Sequence, residues 1–176
     1  RGKQFELVTI RENAPLLARA NFVPTIEPVK DSLAGVKRAL DAVIEAGGRA
    51  VVIVNPQCGD FSRDGRPIRR LLQEGLLESG QIVAGVQLSE GMTTDEALEI
   101  WNELPTCERA LVHAGFAQAR QLAEALPGDV DQVAQVLLEP SCGKLYRRHF
   151  PAGERSLVRD GFTRRRNRDY PPLEAF

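Results

Sequence analysis

Short runs of Val, Ile and Leu alternate along the chain with longer stretches in which apolar residues recur at helical spacing. The runs begin roughly 25–30 residues apart, which is about the length of one strand, one helix and two loops. Val51 to Val54 are apolar at consecutive positions, a pattern typical of parallel strands that are covered on both faces. The pattern predicts strands at residues 22–26, 50–54, 82–86, 110–112, 133–138 and 156–158.

Helices are predicted between these strands. The clearest is 32–46, where the apolar residues share one face, Asp31 or Ser32 is the expected N-cap, and Gly47 ends the helix. Weaker but similar patterns predict helices at 66–79, 94–104 and 117–126.

The alternation predicts an α/β fold of repeating βα units in a single domain, residues 1–176. One architecture of this kind is the (β/α)8 TIM-type barrel, which has eight units and usually about 250 residues. The alternative is an open, doubly wound parallel sheet, which needs fewer units. About six strands, with a first helix that would follow a missing strand, favour a partial or incomplete barrel.

Three predicted strands end in the same form, an apolar run followed by a carboxylate or amide and then proline. Glu27, Asn55 and Glu139 each precede a proline, which removes a backbone donor and fixes φ, so the strand ends there. His113 stands at the end of the 110–112 strand, with small residues after it. Because functional groups gather outside the carboxyl ends of parallel strands, we expect these four side chains around one cavity.

Such a ring would contain two carboxylates, an amide and an imidazole. Glu27, His113 and Glu139 are the candidate catalytic residues, because neighbouring carboxylates raise one pKa and thereby suit proton transfer near neutral pH. Asn55 is a candidate ligand-binding residue. The same oxygens and nitrogen suit a divalent metal of unknown identity. The alternative is that these residues cap strand ends and hydrogen-bond to neighbouring loops.

The loop after the second strand, residues 55–67, is rich in Gly, Asp and Arg, a composition that suits a phosphate cradle. The sequence contains neither a Walker A nor a G-x-G-x-x-G pattern. An active-site loop and an ordinary surface loop therefore both stay open as interpretations. Cys58 in this loop has no base adjacent in sequence, which argues against a nucleophilic cysteine.

Composition narrows the class of protein. The formal net charge of −1 and the pI near 6.2 argue against a general nucleic-acid or membrane-surface binder. Three cysteines without a C-x-x-C pair are typical of reduced thiols in a cytoplasmic protein. No stretch approaches the roughly 18 apolar residues that span a bilayer, so we expect a cytoplasmic protein without a membrane partner.

Charge is concentrated towards the end of the sequence. Residues 144–176 hold 9 basic and 4 acidic side chains, whereas residues 1–143 hold 14 and 20. Arginines at 164–168 suit phosphates or carboxylates, so nucleic acid is a candidate partner of the cationic segment 159–176. The alternatives are pairing with the acidic body or docking of a missing region. The candidate ligand-binding residues are Asp160, Arg164, Arg166 and Asn167.

Four segments together carry a family resemblance. They are Arg1-Gly2-Lys3-Gln4-Phe5-Glu6-Leu7, Pro24-Thr25-Ile26-Glu27-Pro28-Val29-Lys30, Asn55-Pro56, and Asp160-Gly161-Phe162 with Arg166-Asn167-Arg168-Asp169-Tyr170-Pro171. They resemble an uncharacterised bacterial family related to the phage-type "beta protein" group, and the resemblance runs nearly end to end. Arg168 departs from it, since a small residue is expected there.

The resemblance says more about where the domain begins and ends than about its activity. It implies a first strand lost before residues 4–11, which makes that segment a helix, although its apolar spacing fits helix or strand. It also implies that a C-terminal region is absent. Members of the family look like accessory genes, sometimes beside a small nuclease-like partner protein, which implies phage defence or mobile-element biology.

Three functional hypotheses follow. The first is a TIM-barrel-type hydrolase or phosphodiesterase that acts on a phosphorylated or nucleotide-like ligand through the strand-end residues. The second is a non-enzymatic binding or scaffolding subunit that contacts a protein or nucleic acid through Arg164–Arg168. The third is a truncated domain whose missing half contains the chemistry.

Overall fold

The computed structural model describes residues 2–126 and 133–159. Within them, six parallel strands form one curled sheet, and each strand pairs with the next along the chain. The strands are β1 (Thr25–Ile26), β2 (Ala50–Ile53), β3 (Ile82–Ser89), β4 (Arg109–Ala114), β5 (Ala134–Leu138) and β6 (Arg155–Val158). All six predicted strands are therefore confirmed, with shifted ends.

One helix precedes β1, and each connection between strands contains another. This alternation confirms the predicted α/β class, because parallel strands need a crossover that returns the chain to the same end of the sheet. None of these helices is long and apolar enough to cross a membrane, over the residues described. They are α1 (Gln4–Arg19), α2 (Ala34–Glu45), α3 (Arg66–Leu71), α4 (Thr94–Glu103), α5 (Ala119–Ala125) and α6 (Lys144–Arg147).

Alternate residues of the strands pack into two separate apolar clusters. Val52 and Leu111 pack with buried helical residues such as Leu40, on what we call the helix-covered face. Val51 and Val112 belong to a smaller cluster made of strand residues alone, on what we call the inner face. Because successive side chains of a strand point to opposite faces, a residue's parity decides which cluster it joins.

The helix boundaries show where local signals were misleading. Residues 4–11 are helical, as the family resemblance implied, and α1 continues to Arg19. The N-cap prediction for α2 was wrong, since Leu33 occupies that position without a side-chain cap. The Asp31 carboxylate accepts from the Ser32 N–H at 2.7 Å instead, and the Asp31 backbone N–H donates to the Asp60 carboxylate of the loop after β2.

The region after β2 also differs from the prediction of one helix at 66–79. Helix α3 ends at Leu71, and a wide turn over Leu72–Leu76 and a short 3-10 turn over Leu77–Ser79 follow. Gly75 has φ +98°, a conformation that glycine adopts readily and that interrupts the helix. The four-residue α6 was not predicted, because so short a helix has no detectable apolar period.

Candidate functional site

A cleft of about 920 Å³ lies at the carboxyl ends of β2, β3 and β4. The loop from β2 to α3 forms one wall, and the loop from β3 with helix α4 forms the other. Functional sites of parallel α/β proteins occur at this end of the sheet. The polar residues of the floor are Asn55, Gln87 and Ser89.

Asn55 joins two strand ends at the floor of the cleft. Its side-chain nitrogen donates to the Gln87 carbonyl at 2.9 Å, and its side-chain oxygen accepts from the Gln87 backbone N–H at 2.8 Å. Asn55 is 9% exposed. A buried amide that bonds both the carbonyl and the N–H of one residue in a neighbouring strand has a fixed orientation. Asn55 is therefore a rigid part of the floor.

The Gln87 side chain is the least satisfied polar group of the floor. Its Oε1 is buried and has no hydrogen-bond partner among the described residues. A buried acceptor without a donor costs about 1–3 kcal/mol. Gln87 lines the cleft, but this oxygen is itself covered, so a donor group of a bound molecule would reach it once the side-chain amide turns towards the cleft.

The wall after β2 is held close to the sheet by glycine and by backbone hydrogen bonds. A Cβ at Gly59 would meet the backbone of Val29, and one at Gly65 would meet the Val54 carbonyl. The Asp60 N–H donates to the Val29 carbonyl at 3.1 Å. The loop is therefore a packed part of the site, which favours the active-site interpretation over an ordinary surface loop.

The same wall presents three arginines. Arg66 contacts the Asp64 carboxylate, and this hydrogen bond lowers the pKa of Asp64 to about 2. Arg69 pairs with Glu103 across the cleft at 2.9 Å. Arg63 is exposed and has no ion pair with any other described residue, so it is the guanidinium most available to an anion.

The opposite wall is acidic. Glu96 closes a capping box with Thr93 at the start of α4, and hydrogen bonds from Thr93 lower the Glu96 pKa. Glu90 and Glu99 are exposed and make no ion pair with other described residues. With basic groups on one side and acidic groups on the other, the cleft suits a polar molecule that carries both an anion and hydrogen-bond donors.

Glu27 lies beside this site without lining the cleft. Its Oε1 accepts from the Gln57 N–H at 3.0 Å and lies 3.4 Å from the Cys58 sulfur. Gln57 itself lines the cleft. Glu27 thus connects the end of β1 to the loop after β2, which is the strand-end cap that the sequence left open as an alternative.

His113 is buried on the helix-covered face, in register with Leu88. Its Nδ1 lies 2.7 Å from the Tyr146 hydroxyl and its Nε2 lies 2.7 Å from Gln135 Oε1. Burial lowers the pKa of His113 to about 4, so the ring is neutral at pH 7. Because β4 continues one residue further, Ala114 lines the cleft instead. This placement does not support a shared ring with Asn55.

Glu139 is also separate from the cleft. It begins a short 3-10 turn, Glu139–Ser141, and lies 3.6 Å from the Arg159 guanidinium. No group of three His, Cys, Asp or Glu side chains in the described part of the chain could hold a metal ion. The remaining candidates lie outside the described residues: Asp160, Arg164, Arg166 and Asn167.

Sequence reasoning therefore found one residue of the cleft floor and missed two. Asn55 was marked by the Asn-Pro strand end. Gln87 and Ser89 lie on a strand that continues three residues past its predicted end at 86, and no proline marks them. The sequence does contain a signal for them: polar residues at 87 and 89 alternate with apolar Leu88, which indicates that the strand continues with one polar face.

Comparisons with protein-family models, with curated proteins and with solved structures found no match. The resemblance to the beta-protein group therefore stays a prediction, and the function is argued from the site.

Proposed function

We propose that the cleft at the carboxyl ends of β2, β3 and β4 binds a small phosphorylated or nucleotide-like ligand. The observation that carries this proposal concerns two groups of the cleft that have no partner among the described residues: the buried Oε1 of Gln87 in the floor and the guanidinium of Arg63 in the wall. A hydroxyl or amino group of the ligand would donate to Gln87. Its phosphate would accept from Arg63, since guanidinium groups bind phosphate oxygens in pairs.

The fold supports a binding site at this position. The strand order is sequential, and the helices pack on one face of the sheet. A doubly wound sheet reverses its strand order at the binding crevice, whereas a barrel keeps it. These features support a partial (β/α)8 arrangement, in which ligands bind where this cleft lies.

Catalysis at this cleft would need groups other than the three expected from the sequence. His113 and Glu139 lie elsewhere, and Glu27 is engaged by the neighbouring loop. A hydrolase or phosphodiesterase would have Glu90 or Glu99 on the acidic wall as its carboxylate base. Binding is the function that the geometry supports first, and a role in phage defence with a nuclease-like partner is proposed from the family resemblance alone.

The test uses AMP as the probe and adenosine, which lacks the phosphate, as its counterpart. Binding is measured by isothermal titration calorimetry with the wild-type chain, with Arg63→Gln, and with Arg70→Gln as a matched control. Arg70 is exposed on α3 and does not line the cleft. We expect Arg63→Gln to weaken AMP binding about tenfold, because one charge-assisted contact is lost, and to leave adenosine binding unchanged.

Two results would contradict the proposal. One is an equal effect of Arg63→Gln and Arg70→Gln on AMP affinity. The other is the absence of binding by AMP, ribose 5-phosphate and inorganic phosphate up to about 5 mM, a concentration at which even weak sites are occupied.

A further inference from the structure

A second, smaller cavity of about 360 Å³ lies beside α6 and the start of β6. Five of the described residues line it, and four of these are cationic. The fifth is Pro151, in the turn that leads from α6 back to the sheet. The cations are Lys144, Arg147, Arg148 and Arg155, and we call this cavity the cationic pocket.

The cations of the pocket differ from most others in the described part of the chain. None of the four makes an ion pair or a side-chain hydrogen bond with another described residue. By contrast, Arg49, Arg69 and Arg120 each have a carboxylate partner. Four cations that have no carboxylate partner in the described part of the chain repel one another around this cavity. An anion placed between them would remove that unfavourable interaction and add favourable ones.

The local fold brings these side chains together. Lys144, Arg147 and Arg148 are spaced three and four residues apart on the turn of α6, which places them on one side of it. Arg155 begins β6, which pairs with β5.

The segment that carries α6 is attached to β4 by buried contacts with His113. Tyr146 is hydrogen-bonded to His113, and the Phe150 ring lies 4.5 Å from the His113 ring. Cys142 donates from its sulfur to the His113 carbonyl. The backbone that carries the pocket is thus anchored to the sheet on both sides of α6.

We propose that the cationic pocket binds a compact polyphosphate, a group of two or three linked phosphates, at a site separate from the cleft. The two cavities share no lining residue. Arginine and lysine side chains bind phosphate oxygens through charge-assisted hydrogen bonds. Linked phosphates concentrate several negative charges within a few ångströms, which matches cations that converge on one small cavity.

A nucleic-acid backbone matches the pocket less well. Proteins that bind single strands combine a groove that follows the backbone with exposed aromatic side chains on which the bases stack. The aromatic residues next to the pocket, Tyr146 and Phe150, are turned towards His113 instead. The exposed phenylalanines among the described residues, Phe5 and Phe22, belong to α1 and the loop after it.

The experiment measures binding of inorganic tripolyphosphate by calorimetry at about 0.1 M NaCl. The test variant is Arg147→Gln with Arg148→Gln. The matched control is Arg19→Gln with Arg38→Gln, which removes the same charge from two exposed cations of α1 and α2. We expect at least a tenfold loss of affinity in the test variant, little change in the control, and recovery by Arg147→Lys with Arg148→Lys.

The outcomes separate this proposal from the proposed function. Arg63→Gln in the cleft should leave tripolyphosphate affinity unchanged, so failure of the cleft proposal does not affect this one. Equal losses in the test and control variants, or no binding by the wild-type chain at about 1 mM, would overturn the cationic pocket as a site. Tighter binding of a ten-residue oligothymidylate than of tripolyphosphate would overturn the compact ligand in favour of a nucleic-acid backbone.

Discussion

His113 shows how one position in a strand changes the meaning of a residue. The sequence places an imidazole at a strand end, where a catalytic group is expected. In the structure the ring is buried on the helix-covered face and joins β4 to Tyr146 of the α6 segment and to Gln135 of β5. Its environment favours the neutral ring, so His113 serves as an anchor of the fold.

The depressed pKa of His113 predicts acid-dependent stability. In the unfolded chain the histidine takes up a proton as the pH falls through about 6.5, whereas the folded chain resists protonation down to about pH 4. Stability from this group is therefore fully present at pH 7 and above and is lost between pH 6.5 and 4. From pH 7 to pH 4.5 the loss of stability is roughly 2–3 kcal/mol.

Urea unfolding at pH 7 and pH 4.5 tests this prediction. His113→Gln should lack the acid-dependent loss, although it lowers stability at pH 7. His149→Gln is the matched control, because it removes the other histidine, which is exposed, and it should behave like the wild-type chain. The same loss in both variants would show that His113 is not the titrating group.

Asn55 and Gln87 show what a residue type can and cannot indicate. An amide followed by proline is a visible local signal, and Asn55 indeed lies at a strand end in the cleft. The importance of Gln87 comes from its partners, since Asn55 occupies its backbone groups while its own Oε1 has none among the described residues. Such a difference depends on contacts 32 residues apart in sequence, which no local pattern contains.

At the scale of elements, the loop after β2 depends on backbone contacts that only glycine permits. Gly65 has φ −85°, which any residue adopts, so its requirement is for space alone. A Cβ there would meet the carbonyl oxygen of Val54 at the end of β2. The close approach holds the start of α3, and with it Arg66 and Arg69, at the edge of the cleft.

Gly65→Ala should therefore destabilise the protein by about 2–4 kcal/mol, because the loop must move away from the strand. Gly143→Ala is a matched control, because Gly143 has φ −63° and no atom of the described residues lies within 4 Å of the added carbon. Its effect on the free energy of unfolding in urea should stay below about 1 kcal/mol. Equal effects of the two substitutions would contradict the packing argument.

The elements that sequence predicted well are those with an intrinsic period. Consecutive apolar residues predicted β2, and the helix predicted at 94–104 is confirmed as α4, which begins after a capping box of Thr93 and Glu96. The start of β1 and the end of β3 were misplaced, because pairing with the neighbouring strand decides how far a strand continues. The four residues of α6 are fixed by tertiary contacts through Tyr146, which a single-sequence pattern does not contain.

At the scale of the whole molecule, charge is separated in a way that net charge conceals. The chain as a whole has a net charge of −1, yet residues 144–159 contain five Lys and Arg and one Glu. The asymmetry is visible in the sequence, but the arginines predicted from it to bind phosphate, Arg164–Arg168, lie outside the described residues. The structure adds an earlier part of the same region, where the cations gather around one cavity.

The cationic pocket predicts a particular dependence of stability on salt in the absence of ligand. Because its four cations lack carboxylate partners among the described residues, their mutual repulsion opposes folding at low ionic strength and is screened as salt is added. Since the net charge is small, repulsion across the rest of the molecule contributes little. Arg147→Gln with Arg148→Gln should raise Tm by about 2 °C at 10 mM NaCl.

This rise in the Tm of the test variant should shrink by more than half at 0.5 M NaCl, where the Debye length falls to about 4 Å. Arg19→Gln with Arg38→Gln should show no such change, because these cations lie apart on α1 and α2. Thermal unfolding followed by circular dichroism gives the Tm of each double variant relative to the wild type at 10 mM and at 0.5 M NaCl. A test variant less stable than the wild type at low salt would mean that the arginines of the pocket have stabilising partners, and it would remove the electrostatic reason for an anion to bind between them.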